Sequence, residues 1–258
     1  MTGRTDHPDA VPTARRRLAT VLVEGLGSTG VRIAEHLIEL GIGTVLLRDE
    51  RAITATDPAY RPADRGRLRA DVACRMLRRP DSHSAIMEVP EDSALIGLDL
   101  HLVVTDGEPT GARLRTAEQS ETAVLPVELT EPGFCIGPIL AAGSGLCHQC
   151  LVLHGLTEDG EAGGEPSSRA PAPTTSTIAA GIAAHQVQVL IDGDSAAAVQ
   201  SGVLLGRTAT GRIDHRQVSP HPECRCLTYL RAERNRDGVR RRSQRPDTTS
   251  AEVLVTGS

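Results

Sequence analysis

The sequence predicts an α/β protein built on a doubly wound, mostly parallel Rossmann-like sheet, with a strand-rich part toward its C-terminus. Three observations carry this. Apolar runs of strand length alternate with segments of helical period, a glycine-rich turn joins the first strand to the first helix, and the core stock is Val, Leu, Ile and Ala. Aromatics are 1% of the 258 residues (Tyr60, Phe134, Tyr229), which suits a helix-covered parallel sheet and argues against stacking on nucleic-acid bases.

Residues 1–18 are polar and Pro-bearing and read as a disordered leader, so order is expected from Ala19. "ATVLVEG" is a buried strand, "LGSTG" a glycine turn, and "VRIAEHLIEL" a helix that gathers Val31, Ile33, Ala34, Leu37 and Ile38 on one face before "GIG" stops it. "TVLLRD" completes a β-α-β unit. "ADRGRLRADVACRMLRR" reads as a second helix, "AIMEV" as a short strand, "LHLVVTD" as a strand ending in Asp106, "PTGARLRTAEQS" as a helix and "TAVLPVEL" as another strand.

Past Pro132 the run "GFCIGPILAAGSGLCHQCLVLHG" is glycine-punctuated and strand-like. Residues 155–175 read as a mobile loop with too few apolar residues to pack, and "STIAAGIAAHQVQVLI" as an Ala-rich helix. "SGVLLGRTATGRIDHRQVS" is a hairpin, and "HPECRC" closes a domain spanning 19–230. Residues 231–258 form an Arg-rich tail expected to be disordered.

Net charge is −5 with both signs interspersed, so no global field draws the chain to nucleic acid or to an anionic membrane. No stretch approaches the roughly 20 apolar residues of a membrane span, and the apolar run after "ARRR" is too broken for a signal peptide. The expected compartment is the cytoplasm, where thiols stay reduced and six cysteines point to metal binding before disulfides. All 28 basic residues are Arg, because the chain has no Lys.

Gly25, Gly27 and Gly30 form G-x-G-x-x-G between a strand and a helix, the context in which backbone amides can approach a phosphate at a helix N-terminus. Asp49 ends the second strand about 20 residues on, where an acid can bind a ribose hydroxyl. Cys147 and Cys150 pair with Cys224 and Cys226 as four thiolates for a tetrahedral zinc, which with no open position is structural; His148 and His221 are alternative ligands. Cys74 and Cys135 read as small buried hydrophobes. The fold class is therefore a Rossmann-like sheet with a C-terminal strand-rich, zinc-bearing part.

In their order along residues 19–228, the glycine turn, the strand-ending acid, "DRGRLRADVACRMLRR", "LVVTD", the C-x-x-C and the late cysteine pair resemble the ThiF/MoeB/HesA superfamily, relatives of ubiquitin-activating enzymes. "GPILAAGSGLCHQCLVLHG" with "HPECRC" is similar to ThiF-like proteins associated with YcaO-type cyclodehydratases in ribosomal peptide modification. The resemblance implies ATP on Gly25, Gly27, Gly30 and Asp49, phosphate contacts from Arg61 and Arg69, and magnesium on Asp106. It also implies a peptide or small carrier protein as substrate, a cyclodehydratase-type partner, and a homodimer.

Arg69 stands where the superfamily pattern expects Lys, a planar fork in place of a compact ammonium, and Arg51 occupies a position usually acidic. The crossover loop at 155–175 has no cysteine to take an activated carboxylate. The sequence thus leans to a non-catalytic partner of an ATP-using modifying enzyme, over an ATP-dependent adenylyltransferase and, on the glycine pattern alone, an NAD- or FAD-dependent oxidoreductase.

Overall fold

A computed structural model describes residues 10–226 apart from 81, 109, 143 and 158–170. Most of the predicted 155–175 loop and the whole 231–258 tail lie outside the described residues. In chain order the elements are α1 (Ala10–Leu18), β1 (Thr20–Glu24), α2 (Ser28–Glu39), β2 (Thr44–Arg48), a 3-10 turn (Pro62–Asp64), α3 (Arg69–Leu77), β3 (Ala85–Glu88), β4 (Leu100–Asp106), α4 (Gly111–Ala117), β5 (Val124–Thr130), β6 (Gly133–Ile136), α5 (His148–Leu153), α6 (Pro173–Asp192), a 3-10 turn (Ala198–Gln200), β7 (Gly202–Arg207) and β8 (Ile213–Gln217).

The eight strands lie in the order β3-β2-β1-β4-β5-β6-β7-β8. From β3 to β5 all neighbours are parallel, and from β5 to β8 all are antiparallel. The parallel half has the doubly wound order that reverses direction between β1 and β4, which opens a crevice at their C-terminal ends. One sheet face packs under α2, α3 and α6 through residues such as Val21, Val45, Leu102, Ile33, Leu37 and Ala183, and the opposite face carries α4 and α5. Burying Ile33 and Leu37 fully is worth about 1.5–3 kcal/mol each, which is why the helical period reported their face so clearly.

Residues 10–18, expected in a disordered leader, instead form α1. The order comes from tertiary contacts: Arg16 Nε donates to Asp192 Oδ1 (2.8 Å) at the end of α6, Arg16 Nη1 reaches the Leu40 carbonyl (3.4 Å) past α2, and the Gly43 amide donates to the Arg16 carbonyl (2.8 Å). A cation at two helix C-termini is electrostatically favoured.

Three further expectations change. The second helix is shorter than its arginine-rich pattern suggests, since Leu68 bridges Ala52 and α3 starts at Arg69. The strand-like run after β6 contains a helix, α5, with Cys147 at its N-cap. Toward the end of the predicted loop, 173–175 already belong to α6, which Pro173 opens at a position where its missing amide donor costs nothing.

Candidate functional site: the glycine-turn crevice and a four-cysteine cluster

The glycine turn is built by close backbone approach. Gly25 has φ +96°, and a Cβ there would stand 2.0 Å from the Val104 carbonyl oxygen of β4; a Cβ on Gly30 would meet the Gly25 carbonyl oxygen at 1.9 Å. Only glycine lets α2 start so close to the sheet. The turn is further pinned by Tyr60, whose hydroxyl donates to the Leu26 carbonyl (2.7 Å).

Three amides of this turn are bonded inside the chain. The Gly25 amide donates to the Arg48 carbonyl (2.9 Å), the Leu26 amide to Asp49 Oδ2 (2.7 Å) and the Thr29 amide to Asp106 Oδ2 (3.1 Å). Asp106, the residue expected to hold magnesium, lies against the start of α2, its Oδ2 2.3 Å from where a Gly27 Cβ would be. Burial raises its carboxyl above the ordinary range. Its Oδ1 and the neighbouring Thr29 Oγ1 are buried without a hydrogen-bond partner, a feature that suits a cation.

Asp49 is fully engaged. Beside Leu26, it accepts from the Arg51 amide (3.1 Å), from Arg51 Nε and Nη2 (both 2.8 Å) and from Arg69 Nη1 (3.4 Å). Burial opposes its ionisation, but the Arg51 hydrogen bonds and charge, the Leu26 amide and Arg69 outweigh it and lower the carboxyl to about 2. Arg51 also pairs with Glu108, and Arg113 lies on Glu108 at 3.6 Å.

Arg69 is buried and forks onto Asp57, Nη2 to Oδ1 at 2.6 Å and Nε to Oδ2 at 3.3 Å. Arg61 is exposed at the N-cap of the first 3-10 turn. The structure thus brings Gly25, Gly27, Gly30, Asp49, Arg69 and Asp106 together around the crevice, with Arg61 at the surface. Asp57, Glu108 and Arg113 join them with no sequence signal to announce it, since none belongs to a recognisable motif. Of the groups the resemblance assigns to ATP, Asp49 and Arg69 are bonded within the chain, while Asp106 Oδ1 has no hydrogen-bond partner.

The cysteines converge. Sγ atoms of Cys147, Cys150, Cys224 and Cys226 all lie within 4.8 Å of one another, with Cys147–Cys224 at 3.5 Å, Cys150–Cys226 at 3.4 Å and Cys147–Cys150 at 3.9 Å. Four thiolates about 2.3 Å from one metal would stand about 3.8 Å apart. The cluster could hold a metal, and burial, which pushes the Cys147 thiol up to about 12, is the penalty a bound cation would reverse. His148 is taken by Glu118, which accepts from its amide (2.6 Å) and meets its Nδ1 (2.7 Å); the His221 ring packs edge-on against His154. Cys74 is buried in α3 as expected of a small hydrophobe.

No protein-family model matches the chain, and no curated protein matches it. Solved structures do. The microcin C7 biosynthetic enzyme MccB in complex with N-formylated MccA superposes with a TM-score of 0.68 at 16% identity, over 83% of this chain and 69% of that one. E. coli MccB with ATP gives 0.66 at 16%, over 83% and 67%, and PaaA gives 0.62 at 16%, over 81% and 76%. The chain shares the fold of these structures, and at such identity the likeness speaks for the fold alone.

Proposed function

We propose that this protein serves in the modification of a ribosomal peptide or small carrier protein, as a non-catalytic partner that holds the substrate or activates a separate ATP-using enzyme of the cyclodehydratase type. The observation that carries the reading is the commitment of Arg69: its fork lies on Asp57 and Asp49, so the charge that would have to face a phosphate is spent inside the chain. Phosphoryl-site chemistry depends on charges aimed at the transition state, and a guanidinium held by two carboxylates is aimed elsewhere. A peptide substrate is supported by the likeness to MccB, solved with N-formylated MccA.

In this reading the four cysteines hold one structural zinc that ties α5 to the turn after β8, two copies associate as a homodimer, and the protein works in the cytoplasm. A second reading, an ATP-dependent adenylyltransferase with magnesium on Asp106, is favoured by the likeness to E. coli MccB with ATP and by the unpartnered Asp106 Oδ1. ATP–pyrophosphate exchange by the purified protein, alone and with candidate peptides, separates the two. No exchange is expected; robust exchange would transfer the assignment to the adenylyltransferase.

A further inference from the structure

We infer that Arg51 is the chain's own occupant of the ribose position over Asp49 and, with Glu108 and Arg113, forms a strap that shuts the crevice to nucleosides; this deepens the non-catalytic reading above and rests on it. The topology sets the strap's path. Asp49 and Arg51 follow β2, Glu108 follows β4, and β1 with its glycine turn lies between those strands. A guanidinium that bonds Asp49 on one side and Glu108 on the other therefore crosses the C-terminal end of β1, the place where open α/β sheets receive ligands. Arg113 Nη1 comes within 3.3 Å of where a Gly25 Cβ would be, and its Nη2 anchors the same Glu108, so the strap has two arginines on one carboxylate.

Asp49 has no acceptor site left to which a ribose could simply add. A carboxylate offers about four lone-pair sites, and Asp49 meets five donors, from Leu26, Arg51 three times and Arg69. Its Oδ1 is bonded by Arg51 alone, through the amide and Nε. A ribose hydroxyl would have to displace a bond in which donor and acceptor are both charged with one in which only the acceptor is, which is the weaker of the two. Arg51 is placed to guard the entrance: its side chain is 30% exposed, and the Asp49 side chain beneath it 2%.

The test is calorimetric titration of the full chain with adenosine, ATP and 2′,3′-dideoxyadenosine. Arg51→Ala is expected to bind adenosine and ATP at least tenfold more tightly than wild type, with no gain for dideoxyadenosine, which lacks the hydroxyls Asp49 would accept. Glu108→Gln, which frees the far end of the strap and leaves Asp49 untouched, is expected to shift adenosine affinity in the same direction by a smaller factor; it carries the test if Arg51→Ala does not fold. Equal adenosine affinity in wild type and the folded variants would overturn the inference, as would a gain that persists with dideoxyadenosine. Failure of the functional reading looks different: it appears as pyrophosphate exchange by the wild-type protein, whatever the adenosine affinities are.

Discussion

Replacing Asp49 by Asn tests the electrostatic centre of the crevice directly. The substitution keeps the size of the side chain but turns one of its two ends into a donor, in a place where every neighbour is also a donor. The carboxyl is lowered from 3.8 to about 2, which at about 1.36 kcal/mol per pH unit corresponds to about 2.5 kcal/mol of native-state stability. Little discount for solvent applies, since the side chain is 2% exposed.

The sign follows from the direction of the shift. A carboxyl held lower in the folded protein stabilises it above 3.8, and that contribution is lost as the pH falls toward about 2. Urea unfolding at pH 7 is therefore expected to show Asp49→Asn about 2.5 kcal/mol less stable than wild type. In thermal unfolding that is about 5–10 °C for a chain of this size. Repeating the series at lower pH should narrow the gap between pH 4 and pH 2. A variant within about 0.5 kcal/mol of wild type at pH 7 would refute the reasoning, and so would a gap that stays constant down to pH 2.

Elemental analysis of protein purified without chelator should find one zinc per chain, absent from Cys224→Ser, and a strong chelator should lower the melting temperature of wild type; metal-free wild type would end the zinc proposal. Gly30→Ala drives a Cβ to 1.9 Å from the Gly25 carbonyl oxygen and should cost about 1–3 kcal/mol in urea unfolding, whether or not any ligand is present; an undisturbed midpoint would mean the turn does not pack as described.

How much of this was legible beforehand depended on whether the signal was local. The β-α-β opening was readable because Val31, Ile33, Ala34, Leu37 and Ile38 recur at helical spacing and end up buried against the sheet. The four cysteines were readable because thiol chemistry leaves few alternatives in a reduced chain. Helix α1 was not, because its own sequence is polar and its order depends on Asp192 and Leu40, contributed by the ends of other helices. Likewise His148 looked as suited to a metal as any imidazole, and only the convergence of the four thiols, with its Nδ1 turned to Glu118 at the end of α4, leaves it outside the cluster.

The amino-acid sequence by itself determined the fold class, the position of the glycine turn and the set of thiols, since period, backbone permissiveness and ligand type are written in the residues themselves. The tertiary structure alone decided what the crevice contains. Asp57, Glu108 and Arg113 carried no signal along the chain; Glu108 meets Arg51 because the strand order puts the ends of β2 and β4 on either side of β1, and Asp57 takes up the fork of Arg69. Once together, opposite charges pair, and Asp49 and Arg69 are bonded to their neighbours within the chain.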